Sequence, residues 1–516
     1  MGLRGVRDES TRDLALKSIT HYPARMASVV LSVDIGTSSS KGVLVNLDGR
    51  VLATATREHA VDRPRPGHVE MDAEIWWQEF VSLSRELLDA QSVEVVAVGV
   101  SGMGPCVLLT DAVNTPLRPA ILYGVDTRST AQIERLTQRY GDQAIRDRCG
   151  SSLSTQAAGA KIAWVADEEP ELFAKARRLF MPSSWLVHEL TGEYVLDHQS
   201  ASQSTPLYDI DERAWFAPWA RDICPEIELP PLRWSGEVAG TVHEAAASST
   251  GIPAGTPVVT GTIDAWAEAV SVDAHNPGDL MLMYGTTMLL VNTVLVKITS
   301  PSLWGTIGAL PDTRNLAGGM ATSGAITGWL KDLFGGPTYA DLVQLAEKSG
   351  PGANGLLMLP YFAGERTPIM DPRARGVVAG LTLSHTRGDL YRAALEAIGF
   401  GVRHNIEVLE AAGGDVRRVV AVGGGTQGDL WTQIVSDITG RSQVIPTQTI
   451  GASYGGAFLA ARAVADVSIT TWNPVRQIRE PRPELAETYS SLYRNYRELY
   501  TSTRSISHEL AAQQQR

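Results

Sequence analysis

Four short stretches carry residue types that could manage a phosphoryl group. In Asp34-Ile35-Gly36-Thr37-Ser38-Ser39-Ser40-Lys41 an apolar run ends in a carboxylate, then turns through a glycine and a series of hydroxyls to a lysine. A lone carboxylate of this kind suits a hydrated Mg²⁺, which takes one or two carboxylates together with phosphate oxygens. The glycine lets backbone approach a phosphate, and Thr37, Ser38 and Lys41 are donors for a phosphoryl group in transit. A plain hairpin turn is the competing explanation. Gly285-Thr286-Thr287 repeats this chemistry without the lysine. Gly423-Gly424-Gly425 follows another apolar run, where backbone without Cβ leaves room for a ring or a phosphate. The chain has no GxGxxG and no GxxxxGK[ST], so neither a dinucleotide fingerprint nor a Walker A loop is present. Finally, Val258-Val259-Thr260-Gly261-Thr262-Ile263-Asp264 delivers a carboxylate after an apolar run and small residues. Asp264 could accept a hydroxyl proton as phosphoryl transfer begins. It could equally be a helix N-cap.

These residues need elements to hold them. Val29–Asp34, Gly42–Leu47 and Val51–Ala55 predict an antiparallel meander, with Asp48-Gly49 as a hairpin turn. An amphipathic helix is predicted over Glu74–Ala90 and a buried strand over Val93–Val100. Strand–helix alternation continues through Ala160–Ala166 and Arg178–Leu190, and Arg233–Pro253 reads as a loop region. Strand, Gly-Thr-hydroxyl turn, strand then returns at Asp279–Tyr284 and Met288–Val291, which predicts a duplicated architecture with one phosphate-holding turn in each half. Thr386 with Asp389 predicts a capped helix that Gly413-Gly414 stops. Val419–Val422 is the next strand and Leu430–Ile438 the next helix, ended by Gly440. Tyr489, Tyr493, Tyr496 and Tyr500 recur at helical spacing, as expected of a last helix packed on its domain.

The 516 residues carry a net charge of −12, which disfavours a nucleic-acid binder with its usual basic face. Cys106, Cys149 and Cys224 lie far apart without CxxC spacing, so reduced thiols in a cytoplasmic enzyme are expected rather than zinc or disulfides. No apolar run is long enough to span a membrane. Residues 1–25 mix charges throughout and lack the apolar core of a signal peptide. Residues 1–27 are therefore expected to be a disordered leader or the product of a start assigned too early, with Met26 as the real start.

Taken together, the motifs resemble the FGGY carbohydrate kinases, from Val29 to about Tyr500. The most specific piece is Gly376-Val-Val-Ala-Gly380-Leu381, followed after a spacer by Asp389-Leu390-x-x-Ala393-Ala394-Leu395-Glu396, which is similar to the family's C-terminal signature. Gly364-Glu365-Arg366-Thr367-Pro368 resembles its Gly-Glu-Arg-Thr-Pro segment. Lys161-Ile162-x-Trp164-Val165-x-Asp167-Glu168 resembles the end of its N-terminal signature, although Ala158 stands at a Pro/Ser/Thr position. The resemblance implies an α/β fold of two actin-like ATPase (ribonuclease H-like) domains around a deep cleft, here residues 28–266 and 267–516. It also implies ATP and Mg²⁺ as cofactors. Asp34 would hold Mg²⁺ through water. Thr37, Ser38 and Lys41 would meet the γ-phosphate, with Gly285 and Thr286 arriving from the other domain. Gly324 would lie near the nucleotide, Gly424, Gly425 and Gly428 would border the adenosine, and Asp264 would be the catalytic base.

The sugar side matches less closely. Gly104-Pro105, in Ser101-Gly102-Met103-Gly104-Pro105-Cys106, stands where xylulokinases carry Met-His and glycerol kinases Arg-Glu. Met103, Gly104 and Asp264 remain substrate-side candidates by position. Leu117–Arg128 is similar to the xylulokinase and gluconokinase region ending in Asp-x-Arg. This makes Asp126 a candidate acceptor for a sugar hydroxyl, or else a turn residue paired with Arg128. His68 replaces a family Trp and reads as structural. The expected partners are ATP and a small carbohydrate, with no nucleic acid and no membrane. A homodimer is allowed, although nothing in the sequence fixes the oligomeric state. Three functions stay open: a kinase for a pentulose such as xylulose or a related ketose or polyol, a gluconate-type sugar-acid kinase, and a catalytically silent sugar- and ATP-binding sensor. A sugar-acid site would need a cation near Asp126, and Arg128 is the obvious local one.

Overall fold

The computed structural model describes residues 26–89 and 91–514. The expectation for residues 1–25 lies outside them. Strand β1 (Ala27–Ile35) is buried along most of its length and pairs antiparallel with β2 (Ser39–Asn46), which pairs antiparallel with β3 (Val51–Glu58). The Asp48-Gly49 turn between β2 and β3 holds Gly49 at φ 84°, and a Cβ there would meet Trp472. Helix α1 (Ala73–Asp89) buries Trp76, Phe80, Leu83 and Leu87 at helical spacing, and the chain returns in β4 (Val93–Gly102), parallel to β1. Short strands β5 (Val238–Thr241), β6 (Pro257–Val259) and β7 (Thr262–Ile263) complete a seven-stranded sheet of order β5-β6-β4-β1-β2-β3, with β7 also on β4.

The second sheet repeats the plan. β8 (Asp279–Tyr284) pairs antiparallel with β9 (Met288–Val294); β10 (Trp304–Ile307) and β11 (Arg314–Met320) extend that side. β12 (Arg418–Val422) lies parallel to β8, followed by β13 (Gln443–Pro446) and β14 (Val475–Arg479). Each sheet therefore has a hairpin whose first strand is backed by a parallel strand from far along the chain, which is the duplication that the two Gly-Thr turns predict.

Helices α2 (Ala158–Glu168), α3 (Pro182–Thr191), α4 (Glu244–Thr250) and α5 (Asp264–Ser271) belong to the first half. The second half carries α6 (Gly324–Leu333), α7 (Arg387–Ala411), α8 (Asp429–Thr439), α9 (Ala452–Val464) and α10 (Ala486–Gln514). The capping box predicted at Thr386 forms, with Asp389 accepting from both the amide and the hydroxyl of Thr386. Tyr489, Tyr493 and Tyr496 of α10 are buried, and Tyr496 bonds to Tyr361 at 2.8 Å. The three cysteines are buried and free. No helix among the described residues is long and apolar enough to cross a membrane.

Two expectations need correction. Arg233–Pro253 is not all loop: it contains edge strand β5 and helix α4, whose short length and Gly, Ser and Ala content hid them. A domain boundary at 266/267 would cut α5, which runs unbroken from Asp264 to Ser271; the two sheets part between Ser271 and Asp279. One apolar cluster joins the halves, bringing Val30, Val43, Ala97 and Ile263 together with Met281, Val291, Val420 and Phe458. Helix α9 makes this contact through bare backbone. A Cβ on Gly455 would lie 1.9 Å from the carbonyl oxygen of Ala267, and one on Gly99 would lie 2.1 Å from that of Gly456.

Candidate active site

The sheet register assembles the site. Asp34 of β1 lies opposite Ser101 of β4, which lies opposite Thr262 of β7. These three positions are at the carboxyl ends of neighbouring parallel strands, the edge where open α/β sheets bind ligands. Asp264 follows β7 directly as the first residue of α5. Ser101 Oγ donates to Asp34 Oδ1 at 2.8 Å, and the Ala265 amide donates to Asp264 Oδ1 at 2.7 Å. Glu268, one helical turn after Asp264, adds a third carboxylate, only 8% exposed, for which no side-chain hydrogen bond or ion pair is found among the described residues.

Burial dominates the proton affinities here. It pushes Asp264 up to about 8, with the Asp34 charge adding to the rise and the Ala265 amide opposing it. Asp34 is raised by burial to about 6 against the pull of Ser101 and Lys41. Glu268 is raised to about 7 by burial, then by Asp34, with Lys41 opposing. Lys41 stands directly opposite Asp34 in the β1–β2 ladder, so the two side chains share a face. Of these carboxylates Asp34, the one on the strand that leads into the first turn, could hold a divalent cation. Among the described residues no group of three ligands is placed to hold a metal ion directly; Mg²⁺ typically takes one or two carboxylates with water and phosphate oxygens.

Both Gly-Thr turns present free amides. The N–H groups of Thr37 and Ser38 donate to no acceptor among the described residues, nor do those of Thr286 and Thr287. In the second turn the carbonyls of Gly285 and Thr286 are gripped from behind by the Ser323, Gly324 and Ala325 amides that start α6. Gly324 thus holds the turn rather than open space, and a Cβ there would lie 2.7 Å from the Gly285 oxygen. At the third stretch, a 3₁₀ turn (Gly424–Gln427) separates β12 from α8. A Cβ on Gly425 would strike Trp431 and Tyr284, whereas Gly424 and Gly428 face open space where a flat ring has room.

The sugar-side candidates divide. Gly104 packs on Ile263, with a Cβ there only 2.7 Å from that side chain, so it sits beside the residue that precedes Asp264. Met103 is 1% exposed within the first sheet's apolar core, which assigns its side chain to packing. Asp126 is fully buried, and its carboxylate accepts from Arg128 at 2.7 Å and from the Val69 amide at 2.6 Å. Both of its oxygens are taken up by these donors, the geometry of a turn residue paired with Arg128. Arg128 is itself neutralised by Asp126 and Glu70 and lies over the Trp164 ring, which His68 meets edge-on.

Sequence reasoning missed Tyr123. Its hydroxyl lies 2.9 Å from Thr37 Oγ1, and its carbonyl accepts from the buried Lys161 Nζ at 3.1 Å. Lys161 opens the stretch that resembles the N-terminal signature, so that stretch props the residue touching the phosphate turn. Next to Tyr123 a cavity of about 280 Å³ opens between the halves, its wall combining apolar side chains such as Leu303 and Trp304 with hydroxyls and amides such as Ser154, Gln156 and Ser302, and with Arg366. Glu365 is buried and spends its carboxylate on the Ala321 and Arg366 amides, so it shapes that wall.

Comparison with known proteins places this arrangement. The profile of the FGGY family of carbohydrate kinases, N-terminal domain, matches residues 29–271, and that of the C-terminal domain matches residues 280–464. The chain is 31% identical over 467 residues to the xylulose kinase of Escherichia coli (strain K12), covering 90% of this chain and 94% of that one. It is 29% identical over 507 residues to the glycerol kinase of Nocardia farcinica (strain IFM 10152), covering 91% and 99%. Among solved structures, the xylulose kinase from Rhodospirillum rubrum superposes with a TM-score of 0.86 at 30% identity, covering 93% of this chain and all of that one. Two actin-like domains with the predicted turns, matched by both domain profiles over most of the chain, make this protein a member of the FGGY family of carbohydrate kinases and a phosphotransferase.

Proposed function

We propose that the protein transfers the γ-phosphoryl group of Mg-ATP to a hydroxyl of a pentulose or a related ketose or polyol, with Asp264 as general base. The observation that carries this reading is the adjacency of Asp34, Ser101 and Thr262 on three neighbouring strand ends, which sets Asp264 beside the first phosphate turn. Phosphoryl transfer asks the protein mainly for positioning and charge stabilisation. The free amides of Thr37, Ser38 and Thr286, with Lys41, would hold the phosphates, and the open face at Gly424 and Gly428 would take the adenosine. Mg²⁺ fits beside Asp34, where it would neutralise charge on the phosphates. Asp264 as carboxylate would accept the proton of the attacking hydroxyl. Closure of the two halves on both substrates would exclude water, the competing acceptor.

Arg128 offers no free charge to a substrate carboxylate, which weighs against a sugar acid near Asp126. The sugar-acid alternative rests instead on Arg366, whose guanidinium has no acceptor among the described residues and lies on the wall of the cavity between the halves. ADP release from purified protein and Mg-ATP, across ketoses, polyols and sugar acids, separates the readings. Stimulation by a neutral ketose or polyol supports the proposal. Stimulation by sugar acids alone moves the assignment to Arg366, and ATP binding with no stimulation by any compound would favour a silent sensor.

A further inference from the structure

The two phosphate turns face the same demand and meet it by different means. In a trans peptide the C=O and N–H point in opposite directions, so holding a carbonyl from behind aims the next residue's amide forward. In the second turn the grip on Gly285 and Thr286 comes from the start of α6, the positive end of a helix. Among the described residues, the carbonyls of Gly36 and Ser38 accept from no helix start. The grip on the first turn comes from one residue just after β3, His59. Its amide donates to the Ser38 carbonyl at 3.1 Å, and its ring Nε2 lies 3.0 Å from the Gly36 carbonyl oxygen.

The other ring nitrogen, Nδ1, lies 3.0 and 3.2 Å from the two carboxylate oxygens of Glu79 on α1. The His59 side chain is 6% exposed and that of Glu79 14%. A carbonyl oxygen and a carboxylate can only accept, so both ring nitrogens must donate, and a ring that donates twice is an imidazolium. The first turn is therefore backed by a histidine ring paired with a carboxylate where the second is backed by a helix start.

Building on the kinase reading, we propose that His59, held as an imidazolium by Glu79, is a positioning residue for ATP: its ring fixes the Gly36 carbonyl so that the free amide of Thr37 points at the γ-phosphate, and its backbone amide anchors the far end of the turn at the Ser38 carbonyl. His59 touches neither substrate. It acts through the turn.

Two substitutions divide its contacts. In His59→Gln the side-chain amide can still reach the Gly36 carbonyl but loses Glu79; in His59→Asn it keeps the reach of Nδ1 and loses Gly36. The expected result is a KM for Mg-ATP, and a calorimetric Kd for a non-hydrolysable ATP analogue, raised about tenfold or more in His59→Asn, the scale of a hydrogen bond to a charged group. The KM for the sugar should stay put, and His59→Gln should recover most of the loss. Histidine-selective ¹⁵N spectra of the unaltered protein at neutral pH should show one ring with both nitrogens protonated, and that signal should be missing from His59→Gln. ATP parameters unchanged in His59→Asn, or equal losses in both variants, or a neutral His59 ring, would overturn the proposal. Analogue binding is read without turnover, so a protein that phosphorylates no sugar would refute the kinase reading while the test of His59 still stands.

Discussion

The hydroxyl of Tyr123 lies 2.9 Å from Thr37 Oγ1, tying the first phosphate turn to the segment that runs past the cavity between the halves. Under the proposed function this one hydrogen bond, spanning 86 positions of chain, would couple the phosphate turn to the cavity wall. Tyr123→Phe removes that bond and keeps the ring. It should lower kcat/KM by about fivefold, the equivalent of roughly 1 kcal/mol for one hydrogen bond, with little change in Tm. Steady-state kinetics beside a thermal melt check this, and an unchanged kcat/KM would make the contact incidental.

The buried carboxylates give pH dependence a definite sign. Asp264, Glu268 and Asp34 are raised by burial to about 8, 7 and 6, so the native state holds protons that the unfolded chain has released. Without ligands, this contribution to stability is greatest at low pH and is lost as pH rises from the ordinary carboxylate range of about 4 through about 8. A melt series should show a shallower decline with pH in Asp264→Asn than in the unaltered protein. The rate should move the other way. A general base must be a carboxylate, so kcat/KM for the sugar should climb with pH and level off above about 8.

Asp126 separates a structural role from a substrate-binding one. Its carboxylate pairs with a fully buried Arg128 side chain. Asp126→Ala should cost about 3 kcal/mol in denaturant unfolding, the usual result of breaking a buried pair, with Glu70 limiting the loss. Under the substrate-acceptor alternative the effect would fall on the KM for the sugar and leave stability unchanged.

Helix α9 depends on glycine for its approach to the first half. In Gly455→Ala the added Cβ would meet the Ala267 carbonyl oxygen at 1.9 Å, where backbone must move. A destabilisation of about 1–3 kcal/mol is expected from such overpacking. A variant as stable as the original would show that the halves are joined more loosely than this packing indicates.

Much of this was legible in the sequence, because local signals carried it. The Gly36-Thr37 and Gly285-Thr286 turns, the Asp48-Gly49 hairpin and the Thr386–Asp389 cap each depend on residues within a few positions of one another, and each forms. The place of Asp264 at a strand end followed from the apolar run before it, while its role as a base was implied only by the family resemblance. Tyr123 and His59 were not legible, because their partners Thr37 and Glu79 are close only after folding. Glu268 carried a usable signal, its spacing of one helical turn from Asp264. Position alone could not show that the Met103 side chain packs in the core, or which of the two readings of Asp126, acceptor or partner of Arg128, its burial and ion pair favour.

The central claim is that Asp264 takes the proton from a sugar hydroxyl while the rest of the site holds Mg-ATP. The most direct test is kcat for an accepted sugar in Asp264→Ala, measured beside the calorimetric affinity for a non-hydrolysable ATP analogue. The account predicts a kcat lower by at least ~10²–10⁴, the usual contribution of a general base, with analogue affinity close to that of the unaltered protein. An unchanged kcat would contradict it.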